Sequence, residues 1–155
     1  MFKITGKAGS TLGLGLLAAC TVALAADNHG LFNTRATNSF DLPNGGRVVE
    51  TASSGFSTMG DTSDPLHMSN ADCRGTTESA ADGSTVQGGG FCTLADKDRD
   101  AVWIWWAMDA DGGTWGVFAG AGKYEGATGG GTWENSEEWP DGKVENSWRG
   151  EINLK

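Results

Sequence analysis

Basic residues, histidine and tyrosine are scarce in this chain. Its 155 residues include 11 Lys and Arg against 20 Asp and Glu, two His and one Tyr, with a formal net charge of −9. Nucleic-acid phosphates and anionic membrane surfaces both attract clusters of Lys and Arg, so this charge argues against either partner. Two His also argue against a zinc site or a hydrolytic triad.

Catalytic and cofactor motifs are missing as well. The sequence contains no G-x-S-x-G, H-E-x-x-H or C-x-x-C, and the glycine-rich residues 120–131 match neither nucleotide-binding pattern. We therefore expect no cofactor. The motifs alone identify no reaction.

The N-terminus has the pattern of an export signal. Lys3 and Lys7 precede the uncharged residues 11–25, and Ala23-Leu24-Ala25 is a small-x-small cleavage pattern. The uncharged stretch is shorter than the roughly 20 residues of a transmembrane helix, and no similar stretch follows it. Residues 1–25 are predicted to be a signal peptide and the mature protein to be soluble.

A lipoprotein signal is the second interpretation of this segment. Leu17-Ala18-Ala19-Cys20 resembles the bacterial lipobox, in which the signal ends before a cysteine that is lipidated. Cleavage after Ala25 predicts a periplasmic or secreted protein. Lipidation at Cys20 predicts an outer-membrane anchor, with the lipid as the sole contact with a membrane.

The cysteine count supports export. Cys20 belongs to the signal segment, which leaves Cys73 and Cys92 as one even pair. In an oxidising compartment we expect these two to form a disulfide. Closure of a loop of about 20 residues contributes roughly 3 kcal/mol through loop entropy. A redox or metal pair and two free thiols are the alternatives.

The mature chain reads as an all-β protein. Residues 26–46 are polar and interrupted by Asn, Pro and Gly, so we predict an irregular lead-in. Residues 47–155 show short β-branched and aromatic runs separated by Gly and Asp, without helical periodicity, and predict one antiparallel sandwich or small barrel. The predicted strands are 47–59, 66–78, 84–95, 101–108, 113–120, 131–138 and 144–154.

Turn signals separate several of these strands. The Asp-rich residues 96–100 and 109–113 predict hairpins, because Asp and Gly tolerate left-handed backbone. The glycine-rich residues 120–131 predict a tight loop, with one helical turn at residues 123–127.

The strand at 101–108 is apolar on both faces. Alternation separates Trp103 and Trp105 from Val102, Ile104, Trp106 and Met108. Such a strand is covered on both sides. One face therefore fills the interior, while the other meets another segment of the chain or a second copy in a homo-oligomer.

Residues 73–135 resemble a known family. A pattern G-x-W, G-x-G-x-Y-x-G-x-x-G-x-G-x-aromatic is carried by Gly113, Trp115, Gly120, Gly122, Lys123, Tyr124, Gly126, Ala127, Thr128, Gly129, Gly131 and Trp133. Gly90-Phe91-Cys92-Thr93 and residues 96–100 add a G-x-C-x and D-x-D-G-D pattern, with Arg99 at the usual glycine. Together they are similar to uncharacterised bacterial exported proteins of the allene oxide cyclase and dirigent-like, calycin-type β-barrel superfamily.

This resemblance implies a fold more than a function. It implies an eight-stranded barrel, one strand more than the sequence pattern predicts. Related barrels include cyclases, coupling-guidance proteins and proteins without known activity, so no catalytic residue is carried over.

The acidic residues Asp96, Asp98 and Asp100 have the spacing of the first calcium ligands in an EF-hand loop. Ala101 stands where that loop needs Gly, and Ala107 stands where it needs Glu. We therefore predict a solvated acidic turn and no metal, with calcium as the alternative.

Tryptophan is the notable enrichment, with seven residues. Indole faces bind sugars and apolar or cationic ligands, and they also fill small barrels. The predicted ligand-binding set is Trp103, Trp105, Trp115, Trp133 and Trp148. Trp139 lies in a turn-like segment and is predicted to be exposed.

A carboxylate inside an apolar barrel would have a raised pKa and could protonate a substrate. The weak catalytic candidates are Glu50, Glu125 and Tyr124, and Glu134 and His67 complete the groups considered. Nothing in the sequence places any of them inside.

These observations favour an exported, non-enzymatic barrel that binds a small apolar or amphipathic ligand or acts as a cell-envelope accessory protein. A cyclase- or isomerase-like enzyme and a Trp-mediated surface interaction module are the alternatives. A cavity with a buried carboxylate would favour the enzyme, an apolar cavity a carrier, and a filled interior the interaction module.

Overall fold

Eight antiparallel strands form in the computed structural model, which describes residues 28–155. They are β1 (Asn28–Asp41), β2 (Arg47–Thr58), β3 (Ser69–Ser79), β4 (Thr85–Ala95), β5 (Ala101–Asp109), β6 (Gly112–Ala121), β7 (Thr128–Glu138) and β8 (Lys143–Asn153). Each strand pairs with the next, and β8 pairs with β1, so the sheet closes into a barrel. The all-β antiparallel prediction is confirmed, with the barrel rather than the sandwich.

The predicted signal peptide, its cleavage after Ala25 and the lipidation candidate Cys20 lie outside the described residues. Within residues 28–155, no helix has the length and hydrophobicity that crossing a membrane requires.

The irregular lead-in predicted for residues 26–46 is wrong, because β1 occupies most of it. This strand pairs with β2 on one side and β8 on the other. Its inward positions include Gly30 and Thr34, whereas Leu31 faces outward and is 40% exposed. Apolar residues therefore do not mark one face, and the period-two signal of a strand is missing.

The predicted glycine loop at residues 120–131 is shorter in the structure. β6 continues to Ala121 and β7 begins at Thr128, so only residues 122–127 connect them, including the 3-10 helix Gly122–Tyr124. A Cβ at Gly131 would lie 1.8 Å from the backbone oxygen of Arg149. Glycine at this position therefore lets β7 and β8 approach closely.

Cys73 and Cys92 form the predicted disulfide. They stand directly opposite each other on β3 and β4, with their Cα atoms 4.0 Å apart, and both line the barrel interior. The bond joins two strands that already pair, so it fixes the register of the β3–β4 hairpin.

The two ends of the barrel differ. At one end the strands are joined by residues 59–68, 96–100 and 122–127. Buried side chains of the first and last of these segments pack against the strand residues Ala71, Leu94 and Val102; they are Met59, Leu66, Tyr124 and Ala127. We call this the plugged end. At the other end four short hairpins connect the strands at residues 42–46, 80–84, 110–111 and 139–142, and we call this the hairpin end.

Candidate ligand-binding cavity

A cavity of about 270 Å³ occupies the barrel interior. All eight strands contribute side chains to its lining. The lining residues are Phe32, Thr34, Thr51, Ser53, Ser57, Ala71, Cys73, Thr77, Cys92, Leu94, Ile104, Trp106, Met108, Trp115, Trp133, Asn135, Glu138, Val144, Asn146, Trp148 and Ile152.

Four tryptophans form the aromatic wall of the cavity. The Trp106 and Trp133 rings lie 5.7 Å apart at 87°, and the Trp115 and Trp148 rings lie 5.2 Å apart at 85°. Trp133 donates its indole N–H group to the backbone oxygen of Thr114 on the adjacent β6, and Trp115 donates its own to the backbone oxygen of Arg149 on β8. Those polar atoms are therefore satisfied within the wall, and the rings contribute their apolar surfaces to the cavity.

Glycines on nearby strands make room for these rings. A Cβ at Gly75 would lie 2.1 Å from the Trp106 ring, and one at Gly113 would lie 2.3 Å from the Trp133 ring. The indoles thus lie against bare backbone, which leaves space in the centre of a narrow barrel.

The strands β1, β2 and β8 also contribute polar side chains to the cavity. The hydroxyls of Thr34 and Ser53 are hydrogen-bonded to each other at 2.8 Å. Ser57 and Asn146 also line the cavity, on either side of Gly30, which pairs with both. The cavity therefore offers an aromatic side and a hydrogen-bonding side to one occupant.

The cavity reaches the hairpin end of the barrel at Glu138. This exposed side chain accepts a hydrogen bond from the amide of Asn135, which also lines the cavity. Among the described lining residues, Glu138 carries the sole charge. The entrance is thus marked by one carboxylate.

A network centred on Asp96 secures the plugged end. The Asp96 carboxylate accepts hydrogen bonds from the backbone amides of Asp98 and Asp100 and from the Tyr124 hydroxyl, and it pairs with the Lys123 ammonium. Burial raises the pKa of the Asp96 carboxyl, but the Lys123 contact and these hydrogen bonds outweigh it and lower that pKa overall. Burial and the neighbouring Asp96 charge raise the pKa of Tyr124.

The solvated turn predicted for the three aspartates is therefore wrong for Asp96, which is 6% exposed. Its oxygens serve the turn and the 3-10 helix, and Arg99 supplies the left-handed position of the turn at φ 70°. In the described part of the chain, no group of three or more His, Cys, Asp or Glu side chains is placed to hold a metal ion.

The structure divides the predicted ligand-binding tryptophans. Trp115, Trp133 and Trp148 line the cavity. Trp103 and Trp105 lie on the outer face of β5, as the alternation along that strand requires. Sequence reasoning missed Trp106, which lines the cavity on the same face of β5 as Ile104 and Met108.

Trp105 instead forms part of an exposed aromatic pair. It stands opposite Phe91 on β4, and the two side chains are 43% and 50% exposed. The homo-oligomer that this outer face predicts stays a prediction. Trp139 is 40% exposed in its turn, as predicted.

The weak catalytic candidates do not meet in the cavity. Glu50 alternates with the inward-facing Thr51 and so faces outward, and Glu125 is exposed beyond the 3-10 helix. Tyr124 is buried at the plugged end, where its hydroxyl binds Asp96.

The two remaining groups also have other surroundings. The Nδ1 atom of His67 lies 3.2 Å from the Met59 backbone nitrogen and 3.1 Å from its oxygen. Glu134 lines a separate groove of about 450 Å³ on the outer surface, together with Asp109, Asp111 and Arg149. Four charged side chains line that groove, whereas Glu138 is the one charged side chain in the described lining of the interior cavity.

Comparisons with protein-family models, curated proteins and solved structures returned no match to this chain. The resemblance of residues 73–135 to the allene oxide cyclase and dirigent-like superfamily thus stays a prediction, and the eight-stranded barrel rests on the structure itself.

Proposed function

We propose that this protein is a binding protein whose barrel encloses one small, largely apolar molecule. The observation that carries the proposal is the cavity of about 270 Å³ between four indoles and a hydrogen-bonding wall. A filled barrel would need no such space. Eight strands are the number at which a barrel interior either fills with side chains or holds one small ligand.

The cavity volume sets the ligand size. An apolar cavity of about 150 Å³ accommodates benzene, so 270 Å³ corresponds to a ligand of roughly ten to fifteen non-hydrogen atoms. The four indoles would cover a planar or branched hydrocarbon body. The Thr34–Ser53 and Ser57–Asn146 side of the cavity would meet a polar substituent, which makes an amphipathic ligand the best fit.

A location outside the cytoplasm fits this protein best. The Cys73–Cys92 disulfide lies in a compact barrel, and disulfides persist in oxidising compartments outside the cytoplasm. With the predicted signal at residues 1–25, this supports a periplasmic or secreted carrier or accessory protein.

Filling the cavity tests the proposal directly. Thr77 lines the cavity, so the ring of a Thr77→Phe variant would enter it beside the Met108 side chain that covers Gly88. Phenylalanine also suits a β-strand. We expect Thr77→Phe to weaken binding of the neutral probe tert-butylbenzene at least tenfold, measured by titration of tryptophan fluorescence.

The neighbouring Thr76 provides the matched control. It is exposed on the outer face of the same strand, so Thr76→Phe adds the same ring without entering the cavity. Equal affinities in the two variants, or no saturable binding to the unmodified protein, would refute an interior ligand site.

A further inference from the structure

We propose that the cavity selects organic monocations, with a methylated ammonium group held among the indoles near Glu138. This inference rests on the proposed ligand-binding function and specifies its ligand class. Three features of the described residues support it: the aromatic wall, the charge of the lining and the charge of the segments around the entrance.

The aromatic wall has the chemistry of a cation site. The Trp106–Trp133 and Trp115–Trp148 pairs each set two indole rings nearly perpendicular, and all four rings border the same cavity. An indole face attracts a cation within about 6 Å of its centroid, and tryptophan is the strongest of the aromatic side chains in this respect. Several rings around one space form the arrangement that recognises quaternary ammonium groups.

The lining offers a counter-charge and no competing cation. Glu138 contributes a carboxylate, and no Lys, Arg or His belongs to the described lining. An anionic ligand would face Glu138 without a positive partner. A cationic ligand would instead place its charge between that carboxylate and the indole faces.

The charge around the entrance also favours cations, and it acts at longer range than the cavity lining does. The hairpin-end segments 41–47, 78–85, 109–112 and 137–143 carry eight Asp or Glu residues and two basic residues. Both basic residues are paired within their own hairpins, Arg47 with Asp41 and Lys143 with Asp141. An opening with an excess of one charge concentrates ligands of the opposite charge.

The plugged end does not share this excess. Its connecting segments 59–68, 96–100 and 122–127, with the terminal residues 154–155, carry six acidic and four basic residues. The negative potential is therefore strongest at the end where the cavity opens, rather than spread evenly over an acidic protein.

Methylation of the ammonium follows from the apolar surroundings. A methylated ammonium is large and weakly hydrated, so it enters an indole-lined space at a lower desolvation cost than a primary ammonium. The apolar body of the ligand would then extend toward Leu94, Ile104 and Ile152, which lie on the side of the plugged end.

Three probes of matched size and different charge test the inference. Phenyltrimethylammonium, tert-butylbenzene and benzenesulfonate have the same number of non-hydrogen atoms, and carry a positive charge, no charge and a negative charge. In low-salt titrations of tryptophan fluorescence we expect the cation to bind about tenfold tighter than the neutral probe, and the anion to bind most weakly. Added salt should weaken the cation's binding and leave that of the neutral probe nearly unchanged.

A pair of variants separates the cavity carboxylate from the general charge of the entrance. Glu138→Gln removes the charge that lines the cavity, whereas Glu137→Gln makes the same change at the preceding residue, which is not part of the lining. We expect Glu138→Gln to weaken phenyltrimethylammonium about threefold or more, and Glu137→Gln to have a clearly smaller effect. Equal losses would overturn the placement of the ammonium beside Glu138.

The probe series also distinguishes this inference from the function beneath it. If tert-butylbenzene binds as tightly as the cation, selection of cations is refuted and the ligand-binding barrel stands. If no probe binds, the ligand-binding function fails and the inference fails with it.

Discussion

At the scale of single residues, the interior depends on glycine and tryptophan in contact. Trp106 lies against Gly75 and Gly90, and Trp133 lies against Gly113. A large ring and a residue without a side chain together occupy about the space of two ordinary residues, so each indole can lie along the barrel wall. Glycine has a low propensity for β-strands, but at these positions it leaves the space in which the rings lie and so keeps the centre of the barrel open.

A substitution at Gly75 tests this packing. Its new Cβ would lie 2.1 Å from the Trp106 ring and 2.8 Å from the Gly89 backbone oxygen. We expect Gly75→Ala to lower the free energy of unfolding by about 2 kcal/mol through overpacking. Gly89→Ala is the control, because the nearest atom to its Cβ lies at 3.3 Å, and urea denaturation of the two variants should differ clearly. Equal stabilities would contradict the packing.

The buried charge of Asp96 predicts a dependence on pH. Because its pKa is lowered in the folded state from 3.8, its ionised form stabilises the fold above about pH 4, and this contribution disappears as the pH falls through the folded-state pKa. Asp96→Asn should cost about 2–4 kcal/mol at neutral pH, since it removes the buried charge that pairs with Lys123 and accepts the hydrogen bonds of the turn. Its stability should also fall less steeply on acidification than that of the unmodified protein.

Urea midpoints measured between about pH 2 and pH 7 check this result. Asp98→Asn is a suitable control, because Asp98 is exposed and lies 3.8 Å from the Lys123 ammonium. Parallel pH profiles for the unmodified protein and Asp96→Asn would exclude Asp96 as the source of the acid sensitivity.

At the scale of strands, the sequence predicts the elements that carry β-branched and aromatic runs bounded by turn signals. The strands from β2 to β6 and β8 fall close to the predicted ranges. β3 begins at Ser69, later than the predicted start at 66, because Leu66 turns into the core of the plugged end. β1 was missed because its apolar residues do not mark one face: Phe32 lines the cavity, whereas Leu31 faces out.

The two faces of β5 show why the sequence alone does not identify the residues of the site. Alternation along this strand correctly separates Trp106 from Trp103 and Trp105, but it does not say which face is inside. That choice depends on the curvature of the closed sheet, which is a property of all eight strands. Asn146, Ser57 and Glu138 carried no local signal, because they reach one cavity only through the closure of β8 on β1.

The β3–β4 hairpin predicts a measurable contribution from its disulfide. Cys73 and Cys92 are 19 residues apart in sequence, and loop closure of this size is worth about 3 kcal/mol. The double variant Cys73→Ala, Cys92→Ala should lose about this free energy of unfolding while keeping the β-sheet circular dichroism spectrum. The unmodified protein in reductant should lose a similar amount, and an unchanged stability in both would show that strand pairing alone holds the hairpin.

At the scale of the whole molecule, closure of the sheet produces a barrel whose two ends differ. Buried apolar side chains close the plugged end, and acidic hairpins surround the hairpin end. Composition reveals a negative net charge, but only the order of the strands shows that carboxylates collect where the cavity opens. The space between the indoles determines the size of the proposed ligand, and the excess of carboxylates at the hairpin end determines its charge.

The tryptophan side chains provide the most direct test of the central claim, an interior site. The seven indole N–H signals can be followed by two-dimensional nitrogen–proton NMR while tert-butylbenzene is added. The account predicts that the signals of Trp106, Trp115, Trp133 and Trp148 shift and saturate together, while those of Trp103, Trp105 and Trp139 stay in place. Shifts confined to the three outward-facing indoles, or none at all, would contradict it.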